Sequence, residues 1–572
     1  MLKRLFLVKI VLSICFLIVI LRLALIMFVE HEVYLARAKS QQIKKEEIFA
    51  KRGNIYDRRG RELAISLEKD SIFVDPSEVK NESLKIIASY INFDSERINT
   101  FDNRRFVWIA RKVDYSLAEK IKAYKLAGVG FVTEGARFYP NGHLASHVIG
   151  FVNMDDNGVE GIERYYDNYL KAEKASKTVL RDAAGNKLSD GYFPEIKGND
   201  IILTIDEGLQ HIVEKHLEEA IKRWNASSAT AIMMNPFTGE ILAMANRPTY
   251  DPNNLNSVKN IAHMRNMAIT DLYEPGSTFK IVTATAALEE NIVNPSSKFD
   301  CSAGYIDVGG KRIKDVHRYG ILTFEEIVQK SSNVGTIKIA MKLGREKLYQ
   351  YIKKFGFGEK TGIDLPGEVS GYVRTPEKWS GTSIGAIPIG QEVAVTPLQI
   401  LRAYSAIANG GFLVNPYIAS EIRDPDGKIL FRAVIKRERI ISEKTAQIMR
   451  DILKKVTQEG GTAGRARLDG NEVAGKTGTA QKYDPKIGRY SQDKFVASFV
   501  GFIPVHNPRI AMIVVIHDPK GTHFGGVVAA PVFKAISDEA LAYLNVPRDD
   551  AKEKGLIVKL NNEIEGKVVV AR

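Results

Sequence analysis

A chain of 572 residues, 45% hydrophobic and 26% charged, is too long for one ordinary core and too apolar to be disordered, so two or three domains plus tails are expected. Its net charge of +13 is spread along the whole length with no basic stripe interleaved with aromatics. That argues against nucleic-acid binding and suits a surface working beside anionic lipid or polymer.

Residues 1–9 carry Lys3, Arg4 and Lys9 and read as a cytoplasmic tail. Residues 10–29 are apolar apart from Ser13 and Arg22, long enough as a helix to span the ~30 Å hydrocarbon core. This run exceeds the h-region of a cleaved signal, and the nearest small-residue site, Ala36-Arg37-Ala38, follows a charged stretch. The segment is therefore expected to be an uncleaved anchor, with the body of the chain extracytoplasmic. Arg22 either snorkels outward or faces a partner helix. Residues 30 to about 48 read as a helix leaving the membrane. Within 30–198, glycines at 142, 150, 158 and 161 mark turns, no catalytic constellation is present, and the region reads as a spacer or scaffold.

A second domain is expected over 199–546. Ala229–Met234 and Glu240–Ala245 read as strands joined by a hairpin turn, and Phe495–Ile503 and Ile510–Ile516 as two more. Helices fill the middle, and a last helix runs from Pro531 to about Leu544. Strands at both ends with helices between predict an α+β domain whose mostly antiparallel sheet is built from both chain ends and packed between helices. Residues 547–572 read as a tail. Cys15 and Cys301 lie far apart and form no disulfide framework or Cys-based metal site; His211 and His216, five apart, read as solvated helix residues. No metal or cofactor is expected.

Three short motifs carry chemistry. Ser277-Thr278-Phe279-Lys280 opens an apolar helix, putting a hydroxyl and an amine at i and i+3 on one face. A serine needs a base to become a nucleophile, and a desolvated lysine can serve. The helix N-terminus adds free N–H donors. The same spacing at Ser77/Lys80 and Ser491/Lys494 opens no apolar helix. Ser331-Ser332-Asn333 begins another helical stretch and could supply a proton-relay hydroxyl and a substrate-holding amide, or simply an N-cap. Lys476-Thr477-Gly478-Thr479 leads into the C-terminal strands; on an edge strand Gly478 would admit a substrate backbone, and Lys476, Thr477 and Thr479 would bind a carboxylate. A second Lys-Thr-Gly, at 360–362, follows a helix stop and is set aside.

Two other patterns fail on context. Gly470 through Thr477 matches a phosphate-binding loop, but Gly478, Pro485 and Gly488 forbid the helix such a loop requires. Gly381-x-Ser383-x-Gly385 matches a nucleophile elbow but follows Pro376-Glu377-Lys378 rather than a buried strand.

The order S-x-x-K, S-x-N, K-T-G resembles the penicilloyl-serine transferases. With Arg52-Gly53 through Asp57-Arg58, Arg137-x-Tyr139-Pro140, Gly158 through Glu163 and Thr396-Pro397-Leu398-Gln399, the chain resembles a class B penicillin-binding protein, most like the septal, division-type transpeptidases. The likeness runs from the anchor to about residue 546. It implies a serine β-lactamase-like catalytic domain over 199–546 on an N-terminal pedestal over 30–198. It also implies D,D-transpeptidation of D-Ala-D-Ala stem peptides and acylation by β-lactams. Ser277 would be the nucleophile and Lys280 its base; Ser331 and Lys476 would pass a proton to the leaving amine; Asn333 would hold the substrate amide. Thr477, Gly478 and Thr479 would bind substrate, and the N–H groups of Ser277 and Thr479 would form an oxyanion hole. A SEDS-type glycosyltransferase and other divisome proteins would be partners. A carboxypeptidase or β-lactamase of the same fold, and a β-lactam sensor, are the alternatives.

Overall fold

The structure is a computed structural model. It describes residues 2–48, 50–93, 106–172, 175–180, 196–484 and 488–549, with backbone only for 38–48 and 175–180. The chain forms two compact units. The first comprises residues 1–52, 67–136 and 171–198, the second 53–66, 137–170 and 199 onward.

In the first unit, α1 (Leu2–Ala24) continues through a π-helical turn to Val29, giving 28 residues with a mean hydropathy of 3.0 in their most apolar window and none buried. This helix is long and apolar enough to cross a membrane. Arg22 lies along it and donates to Glu30 at 3.1 Å, the reach expected of a snorkelling side chain. The helix expected to about residue 48 stops at Gln42. Ile43–Ile48 is instead a strand, antiparallel to Ala175–Leu180. A pairing partner more than a hundred residues away overrides the local pattern, and nothing near residue 43 signals it. A satellite core of Ile72, Val74, Leu84, Ile87 and Ile121 completes this unit.

The second unit is built on one five-stranded antiparallel sheet. Its strands are β1 (Ser228–Met234), β2 (Ile241–Arg247), β3 (Ala474–Asp484), β4 (Arg489–Ile503) and β5 (Ile510–His517), in the order β2-β1-β5-β4-β3. All eight residues of the central β5 are buried, so both faces are covered. On one face lies α2 (Glu207–Trp224), capped by the Asp206 carboxylate on two backbone N–H groups. The helical layer on the other face includes α3 (Lys280–Glu289), α4 (Phe324–Lys330), α5 (Asn333–Leu343) and α6 (Pro397–Ala408). Proline at the first position of α6 and a Thr396/Gln399 capping box start that helix, and all twelve of its residues are buried. The last helix, α7 (Ala530–Tyr543), returns beside α2. The predicted sheet from both chain ends is the one that forms, and β3 is its edge.

Neither unit is continuous in sequence. Residues 53–66 and 137–170 cluster with the second unit, where Ile55 pairs in parallel with Ile201 and Arg137 forms a buried ion pair with Glu163 at 2.6 Å. His216 is not solvated either: it is buried between Glu219 and Glu539. Cys15 and Cys301 are both free. The tail expected over 547–572 lies, beyond residue 549, outside the described residues.

Candidate active site

Ser277 sits in a 3₁₀ turn, Gly276–Phe279, that feeds directly into α3. Three bonds hold the turn. The Gly276 N–H donates to Gly390 O at 3.1 Å, the Thr278 hydroxyl to Pro275 O at 2.8 Å, and the buried Tyr404 of α6 to Thr278 O at 2.9 Å. The Ser277 hydroxyl itself is half-buried, has no hydrogen-bond partner among the described residues, and faces a cleft of about 890 Å³.

Beneath the cleft lie two lysines. Lys280 is buried; its ammonium donates to Ser331 O and Asn333 Oδ1, both at 2.7 Å, and to the Ser331 hydroxyl at 3.2 Å. Burial lowers its pKa to about 7, against the opposing pull of Asp315. Lys476, fully buried on β3, donates to the same Ser331 hydroxyl at 2.8 Å. Burial first, and Lys280 second, push its pKa well below the usual lysine range. With two amines directed at one oxygen, the Ser331 proton is left to point elsewhere.

Ser331 terminates α4 in the left-handed region, φ 59°, and Ser332 caps α5 by accepting the Gly335 N–H at 2.9 Å. Asn333, the first residue of α5, has its Oδ1 on Lys280 and its Nδ2 donating to Lys314 O at 2.9 Å. On β3, the Thr477 and Thr462 hydroxyls are 2.9 Å apart, and the Thr479 hydroxyl accepts the Gly525 N–H at 3.2 Å. The structure therefore brings Ser277, Lys280, Ser331, Asn333, Lys476, Thr477 and Thr479 together. It does not join Ser277 to Lys280 by a hydrogen bond; in this state the amine turns to Ser331 and Asn333.

Gly478 lies where β3 meets the Ser277 turn. A Cβ there would lie 2.3 Å from Ser498 Oγ, 2.9 Å from Thr278 Cγ2 and 3.0 Å from Pro275 O. The missing side chain lets β3 pack against the Ser277 turn. Gly478→Ala is expected to cost about 1–3 kcal/mol through overpacking, read from denaturant midpoints, and to slow acylation of Ser277 in the same samples.

Two groups of residues escaped sequence reading. Asp315 accepts hydrogen bonds at the head of α5. An aromatic wall lines the cleft, where Phe495 stacks on His523 at 4.0 Å beside Phe524. No local spacing ties either group to the motifs. The second Lys-Thr-Gly and the Ser383 elbow do not line the cleft. Thr361 of the second Lys-Thr-Gly is tied to Glu368, and Ser383 is buried on Glu392 at 2.7 Å. Ser77 is bonded to Asp75 and Ser491 to Asp493, while Lys476-Thr477 lies on a strand rather than at a helix start.

A serine at a helix start, two buried lysines sharing a second serine, and an edge strand along the cleft define a serine acyl-transfer fold. Residues 229–538 match the family described as penicillin binding protein transpeptidase domain, and residues 47–203 the penicillin-binding protein dimerisation domain. The chain is 39% identical over 568 residues to stage V sporulation protein D of Bacillus subtilis, covering 96% of this chain and 88% of that protein. It is 34% identical over 541 residues to the peptidoglycan D,D-transpeptidase FtsI of Escherichia coli, covering 92% and 90%. The crystal structure of penicillin binding protein 3 of Mycobacterium tuberculosis complexed with aztreonam superposes with a TM-score of 0.69 at 29% identity, covering 88% of this chain and 98% of that one. The chain belongs to the division-type class B penicillin-binding proteins.

Proposed function

We propose that this protein is a peptidoglycan D,D-transpeptidase that cross-links stem peptides in septal wall synthesis and is acylated by β-lactams. Ser277 Oγ attacks the carbonyl of the penultimate D-alanine and gives its proton to neutral Lys280. The N–H groups of Ser277 and Thr479 carry the oxyanion. The C–N bond breaks as a proton passes through Ser331, between Lys280 and Lys476, to the departing D-alanine amine. Asn333 holds the substrate amide, and Thr477 with Thr479 holds the terminal carboxylate. An amine of a neighbouring stem then attacks the ester, forming the cross-link and returning the proton to Ser277. The observation that carries this reading is the unbonded Ser277 hydroxyl at the cleft above two desolvated amines that meet on Ser331.

The test is mass spectrometry of the detergent-solubilised full chain after brief incubation with benzylpenicillin, with the modified peptide mapped. One adduct on Ser277 that persists for many minutes is expected. Rapid loss would favour a β-lactamase of the same fold, and an adduct on another serine would overturn the assignment. In the same reading α1 is an uncleaved anchor, the N-terminus is cytoplasmic, the catalytic unit is extracytoplasmic, and a SEDS-type glycosyltransferase and other divisome proteins are partners. Recovery of a mature form truncated near Ala38 would sink the anchor. The 39% likeness to a sporulation protein favours a second setting, sporulation; a depletion strain that divides normally but fails to sporulate would select it.

A further inference from the structure

We propose that Asp315 is a positioning residue of the acyl-transfer site: its carboxylate fastens the first turn of α5 and so aims Asn333 and, through it, Lys280. The inference rests on the reading of Ser277 as nucleophile and Lys280 as its base.

Asp315 follows a two-stranded ribbon, Tyr305–Val308 paired with Lys311–Lys314, and its own N–H is held by Gly304 O at 3.0 Å. Its carboxylate sits over the N-terminus of α5. Oδ1 accepts the N–H of Asn333 in a short bond and that of Val334 at 3.1 Å; Oδ2 accepts the Ser332 hydroxyl at 2.8 Å. The preceding residue takes the other end of the same asparagine, because Lys314 O receives Asn333 Nδ2 at 2.9 Å. Lys314 and Asp315 therefore clamp Asn333 by both main chain and side chain. A carboxylate is the favoured group here, since the first N–H groups of a helix lack partners and carry its positive end.

What the clamp fixes is the oxygen that Lys280 uses. With Nδ2 committed to Lys314 O, Asn333 Oδ1 is turned toward the buried ammonium, 2.7 Å away. Two charged groups face Lys280. Asp315, from the ribbon, attracts its ammonium, while Lys476 approaches from β3 across the shared Ser331 hydroxyl and has its own pKa lowered by Lys280. Asp315 acts across the head of α5 and keeps the Lys280 pKa from falling as far as burial alone would take it. One carboxylate thus has two effects, aiming the amide and tuning the base, and the two can be separated by charge.

The experiment measures second-order acylation of the full chain by a chromogenic cephalosporin from pH 5.5 to 9, in wild type, Asp315→Asn and Asp315→Glu. In wild type the rate should rise with pH through a midpoint near 7 as Lys280 becomes neutral. Asp315→Asn should lower the plateau about 10- to 100-fold through misalignment and move the midpoint down by about half a unit or more, because the ammonium loses its attractive neighbour. Asp315→Glu keeps the charge and should keep the wild-type midpoint, whatever its plateau. A merely structural role would depress both variants and move neither midpoint; an unmoved or raised midpoint in Asp315→Asn overturns the inference. Should Asp315→Asn not fold, Asp315→Ser, neutral and still a capping residue, must show the same downward shift. If wild type itself forms no adduct on Ser277, it is the underlying reading that fails.

Discussion

Lys280→Met is expected to cut acylation of Ser277 by up to about 10⁴-fold, the upper range for losing a general base, while raising the melting temperature at neutral pH. The two effects have one origin. The amine is buried among the apolar residues of α3, where the charged form is penalised and the neutral, proton-accepting form is within reach at pH 7. Methionine keeps most of the volume and removes the cation. It also relieves Lys476, whose ammonium Lys280 repels. In the unfolded chain the lysine titrates near 10.4, and in the fold near 7. Below pH 7 both states are protonated and the burial penalty is fully present. Between those values the unfolded chain holds more protons than the native one, so wild-type stability climbs with pH. The advantage of the methionine variant should therefore be greatest at or below pH 7 and shrink toward pH 10, as read from thermal unfolding at several pH values. An advantage that grows with pH would contradict the lowered amine. Ser277→Ala is the companion: no adduct by mass, and a melting temperature close to wild type at every pH.

The residues carrying the proposed chemistry were legible because the sequence keeps each set local. Ser277 and Lys280 share a turn, Ser331 and Asn333 straddle a helix start, and Lys476 through Thr479 lie consecutively on one strand. The sheet was legible for a similar reason: β1, β2, β5 and the part of β4 from Phe495 onward are short apolar runs with turn residues between them. What escaped depends on contacts across the chain. Asp315 stands 18 residues before Asn333 and reaches α5 only because a ribbon folds over it. The i, i+3 spacing suggested that Lys280 would face Ser277. A buried ammonium instead takes the strongest acceptors in range, here a main-chain carbonyl and an amide oxygen. Ile55 pairs in parallel with Ile201, a partner that no local pattern around either residue signals.

Gly390→Ala is expected to disable the site without touching any residue of the three motifs. Gly390 has φ +80°, and a Cβ there would lie 2.1 Å from Gly276 O and 2.7 Å from Gly276 C and N. The left-handed backbone alone costs about 1–2 kcal/mol for an L-residue. The overlap adds to that, because its partner is main chain that cannot rotate away. Gly276 is already bound to Gly390 through its own N–H, so the two strands of chain must separate, and Ser277 is the next residue along. A total of about 3 kcal/mol or more is expected, combining strain and overpacking, with acylation reduced at least about 100-fold by the displaced nucleophile. The second Lys-Thr-Gly provides the control. Gly362 has nearly the same φ, +81°, yet nothing lies within 4 Å of its Cβ position. Gly362→Ala should therefore show only the strain, about 1–2 kcal/mol in a denaturant titration, and acylate at the wild-type rate. Equal acylation rates in the two variants would mean that the hold of Gly390 on the Ser277 turn is not what keeps the serine in place.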